Sequence, residues 1–190
     1  MLVDTDINSD KLKINIDVSM SHLPCSLVSL DTQDVLGTHS VNKHGSLVKK
    51  KLNSQGQVIG VENDFKTGHD ENTQPDFELV KTAAKNKEGC QIVCSIEVLR
   101  VPGNFHISSH AYGQTIARLI AEADFKLDIT HTINHISFGE ESDINQIKTN
   151  FNDGILNPID GVKKEAVEGK IYEYYLKVVP TSYTDISGNV

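Results

Sequence analysis

With 190 residues, 18 Lys and Arg against 26 Asp and Glu, and a formal net charge of -8, the chain is an acidic protein long enough to bury a core of its own. That balance argues against nucleic acid as a partner, because phosphates reward clustered Lys and Arg, and the one basic run, Lys49-Lys50-Lys51, reads as a solvated strand or turn face. No apolar run approaches the ~18 residues a membrane span needs, and the first residues lack the basic-then-apolar layout of a signal peptide.

Residues 1–10 are polar and read as a frayed end. KLKINIDVSM (11–20) alternates cleanly, with Leu12, Ile14, Ile16, Val18 and Met20 on one face, which predicts a half-buried strand. His22-Leu23-Pro24-Cys25 breaks it, and residues 26–36 resume a strand that Gly37 ends. Residues 41–52 and 57–62 flank Asn53-Ser54-Gln55-Gly56, which has hairpin-loop chemistry. Residues 63–87 form a polar excursion with little that could enter a core, apart from a short helix suggested over 76–84.

GCQIVCSIEVLRVPGNFHI (89–107) predicts a long strand, a bend at Pro102-Gly103 and a second short strand; Ile92, Cys94, Ile96 and Val98 share one face. Residues 112–124 carry Ile116, Leu119, Ile120 and Ala123 at helical spacing. FKLDITHTINHISFG (125–139) is ambiguous. If extended, it puts Leu127, Ile129, His131, Ile133 and His135 on one face, yet Ile129, Ile133 and Ile136 also suit a helix. Asn157-Pro158 and Asp160-Gly161 mark turns, and IYEYYLKVVP (171–180) predicts a closing strand. The sum is an all-β chain, a twisted two-sheet β-sandwich with one or two short helices.

Few residues suggest chemistry. His131 and His135, like His106 and His110, are four apart, a spacing that two imidazole metal ligands can use. The glutamate of an HExxH motif is missing, so the simpler reading is histidines in core-edge hydrogen bonds or on the surface, with pH sensing between the two. No GxSxG, GxGxxG or Walker loop occurs, and Glu140-Glu141 reads as a solvated pair. Cys25, Cys90 and Cys94 have neither zinc spacing nor a CxxC; alone they read as buried thiols, and in an oxidising compartment one pair could bond.

Four segments in order resemble the luminal domain of the ERGIC/Erv-type family, the receptors that cycle between endoplasmic reticulum and Golgi. They are INIDVSMSHLPCSLVSLDTQDVLG (14–37), EGCQIVCSIEVLRVPGNFHI (88–107), ITHTINHISFGE (129–140), and ILNPIDG (155–161) with YYLKVVPTSY (174–183). DVLGTHSVN (34–42) and VPGN (101–104) look most like a hybrid branch that carries an inserted thioredoxin domain, for which residues 62–88 leave no room.

The resemblance implies one luminal sandwich over 1–190 with both ends directed at a membrane, anchored by transmembrane helices that this chain lacks. It also implies a Cys25–Cys90 disulfide with Cys94 left over. The implied activity is binding, not catalysis: protein cargo, a paralogous receptor subunit, COPII and COPI vesicles, and retrieval of resident proteins. The implied location is the lumen of the endoplasmic reticulum, the intermediate compartment and the cis-Golgi. No cofactor or metal is implied. His106, His131 and His135 are the candidate pH-responsive or partner-binding residues. The alternatives are a metal-dependent enzyme using His131 and His135, and a carbohydrate-binding sandwich, the latter weakened by the lack of tryptophan.

Overall fold

The structure, a computed structural model, describes residues 11–34, 39–40, 46–63, 74–148 and 156–179. The frayed start over 1–10, the strand ends at 35–36 and 41–45, the polar stretch 64–73 and Pro180 lie outside those residues. In chain order the elements are β1 (Lys11–Met20), β2 (Ser29–Asp34), β3 (His39–Ser40), β4 (Ser46–Leu52), β5 (Val58–Asn63) and α1 (Phe77–Lys85). Then follow β6 (Gly89–Leu99), β7 (Gly103–Ser108), α2 (Gly113–Ala123), β8 (His131–Phe138), α3 (Glu141–Lys148) and β9 (Lys163–Lys164).

The alternation in β1 sends Ile14, Ile16, Val18 and Met20 into the core and leaves Lys13, Asn15, Asp17 and Ser19 on the other face. β6 pairs antiparallel along its whole length, from Lys11 opposite Leu99 to Met20 opposite Cys90. β4 adds to the far side of β6 and β8 to the far side of β1, giving a sheet in the order β5-β4-β6-β1-β8-β9. Its inner face carries a row across four strands: Leu47, Cys94, Ile16 and Ile136. A second sheet, β3-β2-β7, shares the same buried cluster through Leu30.

The bend at Pro102-Gly103 does not fold β7 back onto β6. It carries the chain from the large sheet to the small one, so the two strands that looked consecutive in sequence belong to opposite layers. Lys49 also departs from expectation: it faces Ile92 on the inner side and is buried, not a solvated member of the basic run.

The helix suggested over 76–84 is α1. Asp76 caps it, its carboxylate accepting from the amides of Glu78 at 2.9 Å and Leu79 at 3.2 Å. Val80 is 1% exposed and Phe77 packs against the same cluster, so the polar stretch does reach the core. α2 answers with a fully buried Leu119, while Ile120, which the spacing placed on the same face, is exposed. The two helices are clasped by Phe77, whose ring lies 3.7 Å from the Arg118 guanidinium, and by the Thr115 hydroxyl donating to Gln74 at 2.8 Å.

The Cys25–Cys90 disulfide joins the short 3-10 turn after β1 to the start of β6 across a separation of 65 residues, a closure contributing about 4 kcal/mol on the chain-entropy account. Gly89, beside it, has no room for a side chain. A Cβ there would stand 2.5 Å from the Met20 carbonyl oxygen and 2.6 Å from that of Ser21. Gly89→Ala is therefore expected to cost about 2–3 kcal/mol in denaturant unfolding. Gly60→Ala, whose Cβ would meet only the Lys51 side chain at 3.7 Å, should change stability by less than about 0.5 kcal/mol; equal effects would mean that the β1–β6 end is not close-packed.

Candidate functional site

β8 is a strand with a bulge, which is why its periodicity fitted neither template. Ile133 sits opposite Val18 and His135 opposite Asp17, so Asn134 is the extra residue and the side-chain phase reverses there. The Asn134 amide stitches the bulge down, donating to Asp17 at 2.7 Å and to the Ser19 hydroxyl at 2.8 Å. His131 thus lies on the core side with Ile133, while His135 faces outward over the polar side of the sheet. The single shared face expected for an extended 127–135 ends at the bulge.

On that polar side a chain of hydrogen bonds crosses three strands. Ser95 donates to Asn15 at 2.9 Å, Asn15 to the Ser137 hydroxyl at 3.0 Å, and Ser137 to Glu141 at 2.7 Å. Glu141 lies 3.3 Å from His135 Nε2, and Asp160 lies 2.6 Å from His135 Nδ1. Asp160 also accepts from the Ile136 amide at 3.0 Å. Carboxylates only accept, so a neutral imidazole satisfies one of these two neighbours and the imidazolium satisfies both. Protonation of His135 would tie the first residue of α3 and the turn at Asp160 to β8 together.

His131 is placed differently. It is 8% exposed, with Nδ1 2.8 Å from the Ile129 carbonyl and Nε2 2.7 Å from the Tyr174 hydroxyl. The carbonyl requires Nδ1 to donate, which leaves Nε2 to accept from Tyr174 in the neutral ring. Burial, then the neighbouring Tyr172, raise the Tyr174 phenol, which keeps it a donor. Both tyrosine rings stand edge-on to the imidazole, with centroids 5.4 and 5.9 Å away.

These contacts replace the closing strand expected over 171–180: residues 171–179 form no strand. They run as a strap held by side chains, with Ile171 84% and Tyr175 89% exposed. β9 is the element that extends the sheet, pairing Lys164 with His131 and Lys163 with Thr132.

His106 is on β7 in the small sheet, exposed, with Nε2 3.0 Å from the Asn104 side chain. The three candidate histidines are therefore not brought together. His131 and His135 point to opposite sides of the sheet with their ring nitrogens already engaged, so the pair cannot share a metal. Among the described residues no group of three or more His, Cys, Asp or Glu could hold one. The implied disulfide forms, and Cys94 is the leftover thiol, buried in the Leu47–Ile16 row.

One histidine that sequence reading passed over lies beside a cleft of about 450 Å³. His22 Nδ1 is 2.8 Å from Asp128. Burial alone would raise the Asp128 carboxyl, but hydrogen bonds from Thr130 and from His22 outweigh it and the net shift is downward. Lys85 and Lys87, at the C-terminal end of α1, and Asp124 and Lys126, after α2, complete the rim over Ala84, Ala123 and Phe125. Its parts are scattered over 22–128, so no local motif marks it.

The family model described as endoplasmic reticulum vesicle transporter matches residues 48–190, and the endoplasmic reticulum–Golgi intermediate compartment model matches residues 1–41. The probable endoplasmic reticulum–Golgi intermediate compartment protein 3 of Dictyostelium discoideum is 28% identical, over 100% of this chain and 62% of that protein. Protein 1 of the same name from Xenopus laevis is 29% identical over 94% of this chain and 46% of its own length, and human protein 2 is 27% identical over 94% and 51%. The crystal structure of Erv41p superimposes with a TM-score of 0.48 at 18% identity, covering 83% of this chain and 65% of that one. The chain spans about half to three-fifths of the length of these curated relatives.

Tyr174→Phe removes one hydrogen bond from the strap and leaves its packing. A net loss of about 1 kcal/mol predicts roughly fivefold faster tryptic cleavage after Lys170 or Lys177; an unchanged rate would mean that His131 does not hold the strap. Burial, with the Asp17 carboxylate second, pushes the Cys94 thiol from 9.0 up to about 12. The raised value favours the native state below about pH 9, a contribution lost as pH climbs toward 12. Native Cys94 should therefore resist iodoacetamide at pH 9, where an exposed thiol reacts freely, and should react once the chain is unfolded.

Proposed function

Since the chain belongs to the endoplasmic reticulum vesicle transporter family, we propose that residues 1–190 are the lumen-facing recognition domain of a receptor cycling between endoplasmic reticulum and Golgi. In this reading the receptor rides COPII vesicles outward and COPI vesicles back, works with a paralogous subunit, and retrieves resident proteins. It binds and does not catalyse. Among the described residues no helix is long and apolar enough to cross a membrane.

The observation that carries the luminal placement is the Cys25–Cys90 bond at the centre of the core. Two bonded core cysteines are the chemistry of an oxidising lumen; in the cytosol thiols are kept reduced.

Affinity for clients is gated by histidine charge, with His106, His131 and His135 as the responsive set. The groups facing His135 are Asp160, Glu141 and, across the pair with β1, Asp17; those facing His131 are the Ile129 carbonyl, Tyr172, Tyr174 and, across the pair with β9, Lys164; Asp31 lies opposite His106. Acidification strengthens the carboxylate clasp on His135. At His131 it adds a buried charge with no carboxylate beside it. The two ends of β8 respond in opposite senses, which changes the surface that a client meets.

Crosslinking of the full-length protein in its native membranes at neutral and mildly acidic pH tests this. Captured client should differ several-fold between the two, since about 1 kcal/mol of coupling per histidine is a fivefold change in affinity. His135→Gln should narrow the difference. Equal capture at both pH values would overturn the gating, and the absence of any luminal client would overturn the recognition reading.

A further inference from the structure

We propose that the cleft between the C-terminal ends of α1 and α2 binds an acidic peptide segment, its carboxylates taken up by Lys85, Lys87 and Lys126. Its identification as part of a client rests on the recognition reading above; the charge trap itself does not.

Five of the described lysines have a glutamate partner, while Lys50, Lys164, Lys170 and Lys177 have none. Lys11 pairs with Glu97, Lys13 with Glu140, Lys51 with Glu62, Lys81 with Glu122 and Lys163 with Glu165. Lys85, Lys87 and Lys126 have no acidic partner among the described residues, yet they line one concavity. A chain of net charge -8 offers many carboxylates for pairing, so three uncommitted ammonium groups in one place form a local reversal of sign. Of the two acids on the rim, Asp128 is already saturated by Thr130 and His22. Three lysines against two carboxylates leave the lining net positive.

Lysines at a helix C-terminus also complement its dipole, which accounts for Lys85; Lys87 and Lys126 lie beyond the ends of α1 and α2. Among the described residues the non-glycine positions with positive φ are Lys87, at 53°, and Asp124, at 50°. Both line this cleft. In each case the left-handed residue ends a helix, Lys87 with its amide on the Ala84 carbonyl and Asp124 as the cap of α2, and the turn carries the side chain to the rim.

Ala84, Ala123 and Phe125 add an apolar lining, and the cleft volume falls in the ~300–1,000 Å³ range of ligand sites. An apolar lining under a cationic rim suits carboxylates carried on an aliphatic chain better than a bare inorganic anion. His22 makes the site conditional. It faces Asp128 directly, with Lys85, Lys87, Asp124 and Lys126 around the rim; protonating its ring adds one positive charge where the peptide would lie.

The test uses the 190-residue chain and a fluorescent acetyl-Glu-Leu-Glu-Leu amide, followed by anisotropy at low salt, with the Gln-Leu-Gln-Leu peptide and inorganic phosphate as competitors. The expected result is saturable binding that the Gln peptide and phosphate do not displace. It should weaken about tenfold in Lys85→Gln/Lys87→Gln/Lys126→Gln and remain in Lys163→Gln/Lys164→Gln. Between about pH 7.4 and about pH 6 binding should tighten several-fold, and His22→Gln should abolish the tightening. Displacement by phosphate at matched concentration would reassign the site to simple anions. No binding, or equal losses in the two lysine variants, would overturn it, and a flat pH response would remove His22 from it. Failure here with pH-dependent capture intact in membranes would sink the cleft and spare the recognition reading; binding here with no luminal client would do the reverse.

Discussion

The antiparallel register of β1 on β6 is the constraint from which the rest of the molecule is built. A slip of one residue would turn Ile14, Ile16, Val18 and Met20 toward solvent and bring Asn15 and Asp17 inside. Two local features fix one end of it. The disulfide holds Cys90 to the turn that follows β1, and Gly89 lies so close to the carbonyls of Met20 and Ser21 that no other residue fits. β4 and β8 then add to a template already in phase, and the row Leu47–Cys94–Ile16–Ile136 closes the inner face.

Much of this was legible because β1 and β6 are half-buried, and half-burial writes a period of two into the sequence. The same rule shows where reading stopped. In β8 the bulge at Asn134 shifts the phase between Ile133 and Ile136, so the strand carries two alternating patterns out of step. In residues 171–179 the tyrosines and valines have strand propensity, but propensity does not say whether a sheet edge is free. The His131–Thr132 end of β8 is taken by β9, and the segment is held by hydroxyls instead. Lys49 was misread for a related reason: in a basic run, the face each member takes depends on a register that only the folded sheet defines. The cleft left no trace in the sequence, because only the fold brings Lys126 to the same concavity as Lys85 and Lys87.

The bulge also has a chemical consequence. By reversing the phase between His131 and His135 it gives two histidines four residues apart two unlike environments: a buried ring satisfied when neutral, and a ring between two carboxylates satisfied when charged. In a regular strand both would share one face. The polar network from Ser95 to Asp160 then joins the outward ring to three strands, α3 and a turn. The His135 imidazole is thus bonded into a wide part of the outer surface, whereas the His106 ring, on the other sheet, bonds to its neighbour Asn104.

An odd cysteine in an oxidising compartment is a hazard, because a thiolate can attack an existing disulfide and reshuffle it. Cys94 lies on the same face of β6 as Cys90, about 13 Å further along at ordinary strand rise, so distance alone protects the bond in the native state. Burial adds a second protection: with the thiol pushed up to about 12, the nucleophilic form is scarce at any physiological pH. What the core requires at this position is a small apolar side chain between Leu47 and Ile16. A thiol meets that requirement without chemistry of its own, provided that the strands around it stay paired. The redox safety of the molecule and the register of its central strands are therefore one property, and loosening β1 from β6 would expose the free cysteine beside the bond that holds them together.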